Sequence, residues 1–354
     1  MSSRTLATIL TLVACSPTLH AQRPRAPADT AADPARVGAL LAALAHDSME
    51  GRDTGSRGGW AAARLIAAEL ERAGLAPGGD SGFFQRIPLA RQTVTLQSGQ
   101  TRRRLVVFTD SAAGRDTTLA ANRVSAANVV GVLRGGDPAL RDEAVVVTAH
   151  YDHVGIRAPV NGDSIYNGAD DNASGTVAVL EIARLLAQGP PPRRTVVFVL
   201  VTGEERGGVG SRWYLGHPEI PLARTAVNVN VEMIGRPDSL AGGSGRGWLT
   251  GFDRSTMGRM LREAGIPLVP DPRPEQRFYE RSDNIAFARR GIPAHSISSY
   301  NLHADYHRPS DEARFADPAH MAAVITAATS TVRLLADGPA PQWTPDDPFG
   351  QVQR

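Results

Sequence analysis

Five apolar, strand-like runs recur along this chain: "NVVGVL" (128–133), "AVVVTA" (144–149), "TVVFVLVT" (195–202), "AVNVNV" (226–231) and "AHSISS" (294–299). A strand with one wet face alternates apolar and polar residues, whereas a strand that is apolar throughout needs both faces covered. Segments of helical apolar spacing separate several of these runs, at "ASGTVAVLEIARLLAQG" (173–189), "STMGRMLREAGI" (255–266) and "DNIAFARRG" (283–291). A further amphipathic segment, 318–338, has Pro at its start and Gly at its end, the usual asymmetry of helix termini. Buried strands alternating with helices predict an α/β fold, a mostly parallel mixed central sheet flanked by helices.

With 354 residues, 42% hydrophobic and 21% charged, the chain can bury a full core. The net charge of +2 leaves no electrostatic footprint for nucleic acid. Every basic residue other than histidine is arginine, which we read as coding bias rather than function. "MSSRTLATILTLVACSPTLHAQ" carries an early positive charge, a short apolar run and a small residue at Ala21, the pattern of a secretory leader over 1–21. The only cysteine, Cys15, follows "LVA" as in bacterial lipoprotein signals, so cleavage after Ala21 and lipidation at Cys15 both stay open. Either route places the mature protein outside the cytoplasm, periplasmic or secreted, with membrane attachment only if Cys15 is lipidated. An internal disulfide and a cysteine nucleophile are both excluded.

Residues 22–36, rich in Pro, Ala, Asp and Arg, read as a flexible tether. Helical spacing returns at 37–45 and 60–75, on either side of the glycine-rich "MEGRDTGSRGG". The stretch 91–126 alternates weakly and suggests a hairpin or irregular strand, too short for an inserted domain. One domain is therefore expected over 37–338, without an inserted protease-associated domain, followed by a loose Pro- and Asp-rich tail at 339–354.

In open α/β sheets, chemistry collects beyond the carboxyl ends of the strands. Here those positions carry His150, Asp152 and His153, then Glu204 and Glu205, then Glu232, then His303, His307 and Asp311, while Asp170 and Asp171 precede the helix at 173. Taken singly, each has a bland explanation: a hydrogen-bonded histidine, a helix cap, a surface carboxylate. Taken together they do not, because all five groups fall at one end of the expected sheet. Imidazoles mixed with carboxylates are what zinc prefers, and carboxylates able to bridge suit a two-metal site. Asp152, two residues past His150, is placed to orient its ring. A serine-hydrolase elbow of the form G-x-S-x-G is missing, and "GGSGRG" (242–247) does not follow a strand as a nucleotide loop would.

The motifs "AHYDHVG", "NGADDNASGTVAVLEIAR", "VTGEERGGVGS", "NVEMIG", "RSDNIAFARRGIPA" and "DYHRPSDE" occur in an order that resembles metallopeptidase family twenty-eight, the secreted co-catalytic zinc aminopeptidases. The wider group includes glutamate carboxypeptidase, the transferrin receptor ectodomain and glutaminyl cyclase. The resemblance spans roughly 37–336 and implies a zinc-peptidase-like three-layer fold holding two Zn2+ per chain. It implies that His150 binds the first metal, that Asp171 bridges both, and that Glu205 and His307 bind the second. Glu232 falls where the family usually has an aspartate completing the first site, so that site is expected to be occupied with altered affinity. The resemblance further implies Glu204 as general base and Tyr306 as a weaker candidate for oxyanion stabilisation. Asp283 lies near the family's specificity pocket, with Asn284 replacing a histidine. His153 and His303 have no ligand role in the family and are expected to line the crevice or the surface.

The expected activity is hydrolysis of the N-terminal bond of peptides with a free N-terminus. Three alternatives stand beside it. A carboxypeptidase of the same family could use Arg277, Arg281 or Arg308 to grip a carboxylate, a glutaminyl cyclase would use similar ligands on one zinc, and a receptor-like binding protein would have lost ligands.

Overall fold

The computed structural model describes residues 31–95, 97–108 and 117–352. The leader, Cys15 and most of the expected tether lie outside them. In chain order the strands are β1 (Ala76–Pro77), β2 (Phe84–Thr95), β3 (Thr101–Val107), β4 (Arg123–Leu133), β5 (Ala144–His150), β6 (Gly155–Val160), β7 (Asp163–Tyr166), β8 (Thr195–Val201), β9 (Thr225–Val231), β10 (Gly247–Leu249), β11 (Leu268–Pro270) and β12 (Ala294–Ser298). The main sheet runs β11-β10-β12-β9-β5-β8-β4-β2-β3, with β1 beside β4, while β6 and β7 form a separate ribbon. Its centre, β12-β9-β5-β8, is parallel. Antiparallel pairs extend it on both sides, through β4, β2 and β3 at one edge and β10 at the other.

All residues of the four central strands are buried. Their side chains alternate between two cores. Val145, Val147, Phe198 and Leu200 face a layer that includes helices Pro34–Leu44, Arg57–Arg72, Gly175–Gln188 and Pro318–Asp337. Val146, Val197, Val199 and Val201 face helices Val209–Gly216 and Asn284–Ala288. This is the three-layer arrangement expected from strands with no polar face, each buried Val or Leu contributing about 1.5–3 kcal/mol. The helix Pro318–Asp337 is long and apolar enough to cross a membrane, but most of it is buried against the sheet layer.

Two expected boundaries shift. The first helix starts at Pro34, inside the stretch expected as tether, because Asp33 accepts the Ala35 N–H and Pro34 needs no donor at the first helical position. The tail beyond 338 is packed rather than loose. Trp343 Nε1 donates to the Gly291 carbonyl (2.9 Å), Arg254 Nε donates to Asp347 Oδ2 (2.6 Å), and Phe349 stacks on Tyr279. Proline and aspartate, read as loop formers, here cap a short turn around two aromatic anchors.

Candidate metal centre

Parallel neighbours share a direction, so β5, β8, β9 and β12 send their exit loops to one edge. His150 is the last residue of β5 and Glu232 is the first after β9. Glu204 and Glu205 lie in the turn between β8 and helix Val209–Gly216, and His307 lies in the loop after β12. Asp171 sits in the irregular turn Ala169–Ser174 that feeds the helix Gly175–Gln188.

These loops bring two donor clusters together. In the first, His150 Nε2 lies 3.4 Å from Asp171 Oδ1 and 3.1 Å from Glu232 Oε1. In the second, His307 Nε2 lies 3.0 Å from Asp171 Oδ2 and 2.9 Å from Glu205 Oε1. Asp171 thus gives one oxygen to each cluster. His153 joins the second, its Nδ1 3.1 Å from Glu205 Oε1 and 3.7 Å from Asp171 Oδ2. It was expected to line the crevice or the surface. The chain leaves the sheet at Tyr151, so strand alternation no longer sets the direction of the third residue on. The second histidine of "HYDH" was the only available signal. His303 is also not a wall residue: its Nε2 lies 2.9 Å from Asp170 Oδ2, behind the bridging loop.

The donor set fits zinc, which takes imidazole nitrogen and carboxylate oxygen. Both ring nitrogens of His153, and Nε2 of His307, are buried without an aligned hydrogen bond among the described residues. Such groups are rare unless something else satisfies them.

Neighbouring side chains fix the donors. His150 Nδ1 lies 3.0 Å from the Asp152 carbonyl, which can only accept, so Nδ1 carries the proton and Nε2 is free toward the cluster. The Asp152 carboxylate is farther from Nδ1, at 3.8 Å, and instead accepts from Thr54 Oγ1 (3.0 Å) and the Glu204 N–H (3.2 Å). It was expected to orient the ring itself; the backbone does so, and the side chain ties together the "DTG" and "GEE" turns. Asp311 accepts from the N–H groups of Asp170 and Asp171. Arg52, fully buried, donates to the carbonyls of Tyr151, Asn167 and Gly168, joining both ligand-bearing segments. Ser282 Oγ donates to Glu232 Oε2 at 2.6 Å. The "EGR" and "RSD" motifs were visible in sequence, but their hydrogen-bond partners were not.

Burial pushes Glu204 well above the usual carboxylate range, and the charges of Asp283, Glu232 and Glu205 add to this against His150. Burial likewise lifts Asp152 to about 7 and Asp283 to about 6. Asp171 goes the other way: burial opposes its charge, but hydrogen bonds from His150 and His307 hold it well below the normal range. A cleft opens beside the clusters. Asp171, Glu204 and Glu232 line its polar side, while Trp248, Phe278, Tyr300 and Tyr306 line its aromatic side. Tyr306 stacks on His307, with ring centroids 4.0 Å apart.

Two donor clusters sharing one aspartate at the carboxyl edge of a mixed α/β sheet form an arrangement that could hold metal ions. The model of Peptidase family M28 matches residues 128–332, and the chain belongs to that family. Aminopeptidase YwaD of Bacillus subtilis is 39% identical over 94 residues, 26% of this chain and 18% of that protein, so the match spans well under half of that relative. In fold, the zinc aminopeptidase BSAP of Bacillus subtilis superposes with a TM-score of 0.61 at 15% identity, over 86% of this chain and 95% of that one. Glutaminyl cyclase of Porphyromonas gingivalis superposes with a TM-score of 0.56 at 16% identity, over 86% and 99% of the two chains.

Proposed function

We propose that this protein is an exported zinc-dependent exopeptidase, an aminopeptidase that hydrolyses the N-terminal bond of peptides. One observation carries the reading: Asp171 is shared by two donor clusters, and Glu204 stands outside both, in the adjoining cleft. His150, Asp171 and Glu232 would hold one zinc, and Asp171, Glu205 and His307 the other. When bound, zinc supplies Lewis acidity toward the scissile carbonyl and toward a nucleophilic water.

The protein's own groups do the rest. Glu204, its pKa raised by burial, takes a proton from the water and returns it to the leaving amine. The Tyr306 hydroxyl, on the cleft wall, donates to the oxyanion of the tetrahedral intermediate. Asp152 holds the Glu204 backbone in place. The carboxylates on the polar side attract the free ammonium of a peptide, and the aromatic side accepts its first side chain.

Arg281 at the cleft supports a second reading, a carboxypeptidase, since a guanidinium there could pair with a terminal carboxylate. Matched peptides with free, N-acetylated and C-amidated ends separate the two. We expect loss of cleavage on N-acetylation and little change on amidation; equal cleavage of acetylated peptides overturns the aminopeptidase reading. Glu204→Ala should lower kcat by about 10²–10⁴-fold with zinc content unchanged. Loss of zinc in that variant would mean that base and ligand are assigned wrongly.

A further inference from the structure

The two clusters are unequal. His150, Asp171 and Glu232 offer three donors to the first, whereas His153, Asp171, Glu205 and His307 offer four to the second. Zinc is usually satisfied by four protein donors where it is structural, and keeps a position open where it is catalytic. The geometry points to His153 as a metal ligand, so that the second cluster holds a coordinatively saturated anchoring zinc and the Glu232 cluster holds an open, more weakly bound one. This inference rests on the two-zinc reading above.

Two independent observations support it. The His153 side chain has no solvent exposure, and neither ring nitrogen has an aligned hydrogen bond among the described residues. Its ring meets that of His307 edge-on, with centroids 5.3 Å apart, and both rings present a nitrogen to the same pair of oxygens, Glu205 Oε1 and Asp171 Oδ2. Neither nitrogen is aligned for a hydrogen bond to these oxygens, whereas a cation between them would use all four donors. The cleft adds the second observation. Its lining includes Asp171, which both clusters share, and Glu232 of the three-donor cluster, whereas His153 is wholly buried behind it.

Metal binding to the full chain tests this directly. Apoprotein prepared by chelation is titrated with Zn2+ in a calorimeter against a competing chelator, with bound metal counted by mass spectrometry. We expect two classes of site differing at least tenfold in affinity. His153→Ala and His153→Gln should each abolish the tighter class and leave a site resembling the weaker one. Loss of partners that merely orient ligands costs 10–100-fold, so loss of a ligand should cost at least about that. Glu232→Ala should do the reverse. Should the His153 variants fail to fold by circular dichroism, wild type with one equivalent of Co2+ decides alone. Intense visible absorption of a four-coordinate ion supports the assignment, and a weak five- or six-coordinate spectrum overturns it. Two classes of equal affinity, or His153 variants that bind as wild type does, also overturn it. A wild-type chain that binds no zinc overturns the two-zinc reading itself, a result distinct from all of these.

Discussion

Glu204 and Glu205 are neighbours in sequence and occupy different surroundings. Glu205 meets His153 and His307, which hold its charge below the usual range against burial and the charge of Asp171. Glu204 faces the cleft and is raised. Opposite pKa shifts on adjacent carboxylates are what the proposed division into a ligand, Glu205, and a base, Glu204, calls for. Glu232 depends on a side chain from another element: Ser282 Oγ accepts from Asn230 Nδ2 at 2.8 Å and donates to Glu232. Ser282→Ala should weaken zinc at the Glu232 cluster about tenfold, measured by equilibrium dialysis, while leaving the other cluster unchanged. A buried histidine away from the centre sets a different dependence. Burial lowers His295 to about 4, the Arg254 charge adding to this, while Nδ1 donates to the Thr250 carbonyl and Ser255 Oγ lies 2.7 Å from Nε2. Its folded pKa lies below the unfolded value of about 6.5, so between the two the unfolded chain binds more protons. Stability from this group is full above pH 6.5 and falls as pH drops toward 4, by about 3 kcal/mol in all. Urea melts of His295→Gln should show that much less acid dependence over this window than wild type.

The site's elements are held by close backbone packing that leaves little room for substitution. Gly210, in the first turn of Val209–Gly216, would place a Cβ 2.1 Å from the Thr202 carbonyl and 2.5 Å from Asn128 Oδ1. Both contacts belong to the end of β8 or to its neighbour β4, just before the turn that carries Glu204 and Glu205. Gly210→Ala should therefore cost about 1–3 kcal/mol in a urea titration and displace that turn, with a parallel loss of zinc retention. In the sequence this glycine falls in the motif "VTGEERGGVGS", directly after a strand. That one glycine is needed for strand contact, and not for backbone freedom, depends on Asn128, which is 82 residues away. Similarly, β5, β8, β9, β12, most of β4 and most of the longer helices were legible from apolar spacing, whereas β6, β7, β10 and β11 were not. The tail was not: proline and aspartate mark turns whether or not the turn is docked, and Trp343 and Phe349 find partners only across the fold.

At the scale of the whole molecule, folding gathers Asp171, Glu204, Glu205, Glu232 and Asp283 around one buried edge, a concentration of like charge that bound cations would offset. Chelation should lower the melting temperature by roughly 10 °C, taking about 3–4 kcal/mol for each of two sites at saturating zinc and about 1.5 °C per kcal/mol for a chain of this size. Re-addition of Zn2+ should restore it, and a melting point indifferent to chelator would argue against metal at this edge. The sequence by itself determined the layered α/β architecture, because runs with no polar face require cover on both sides. It also determined which loops converge at one edge, because parallel strands must end together. Only the tertiary structure decided how donors divide between the clusters. That His153 turns back beside His307, that the Asp152 carbonyl and not its carboxylate orients His150, and that Ser282 grips Glu232 all depend on where the chain goes after it leaves a strand. There the period-two rule no longer applies, and packing between residues distant in sequence sets each direction.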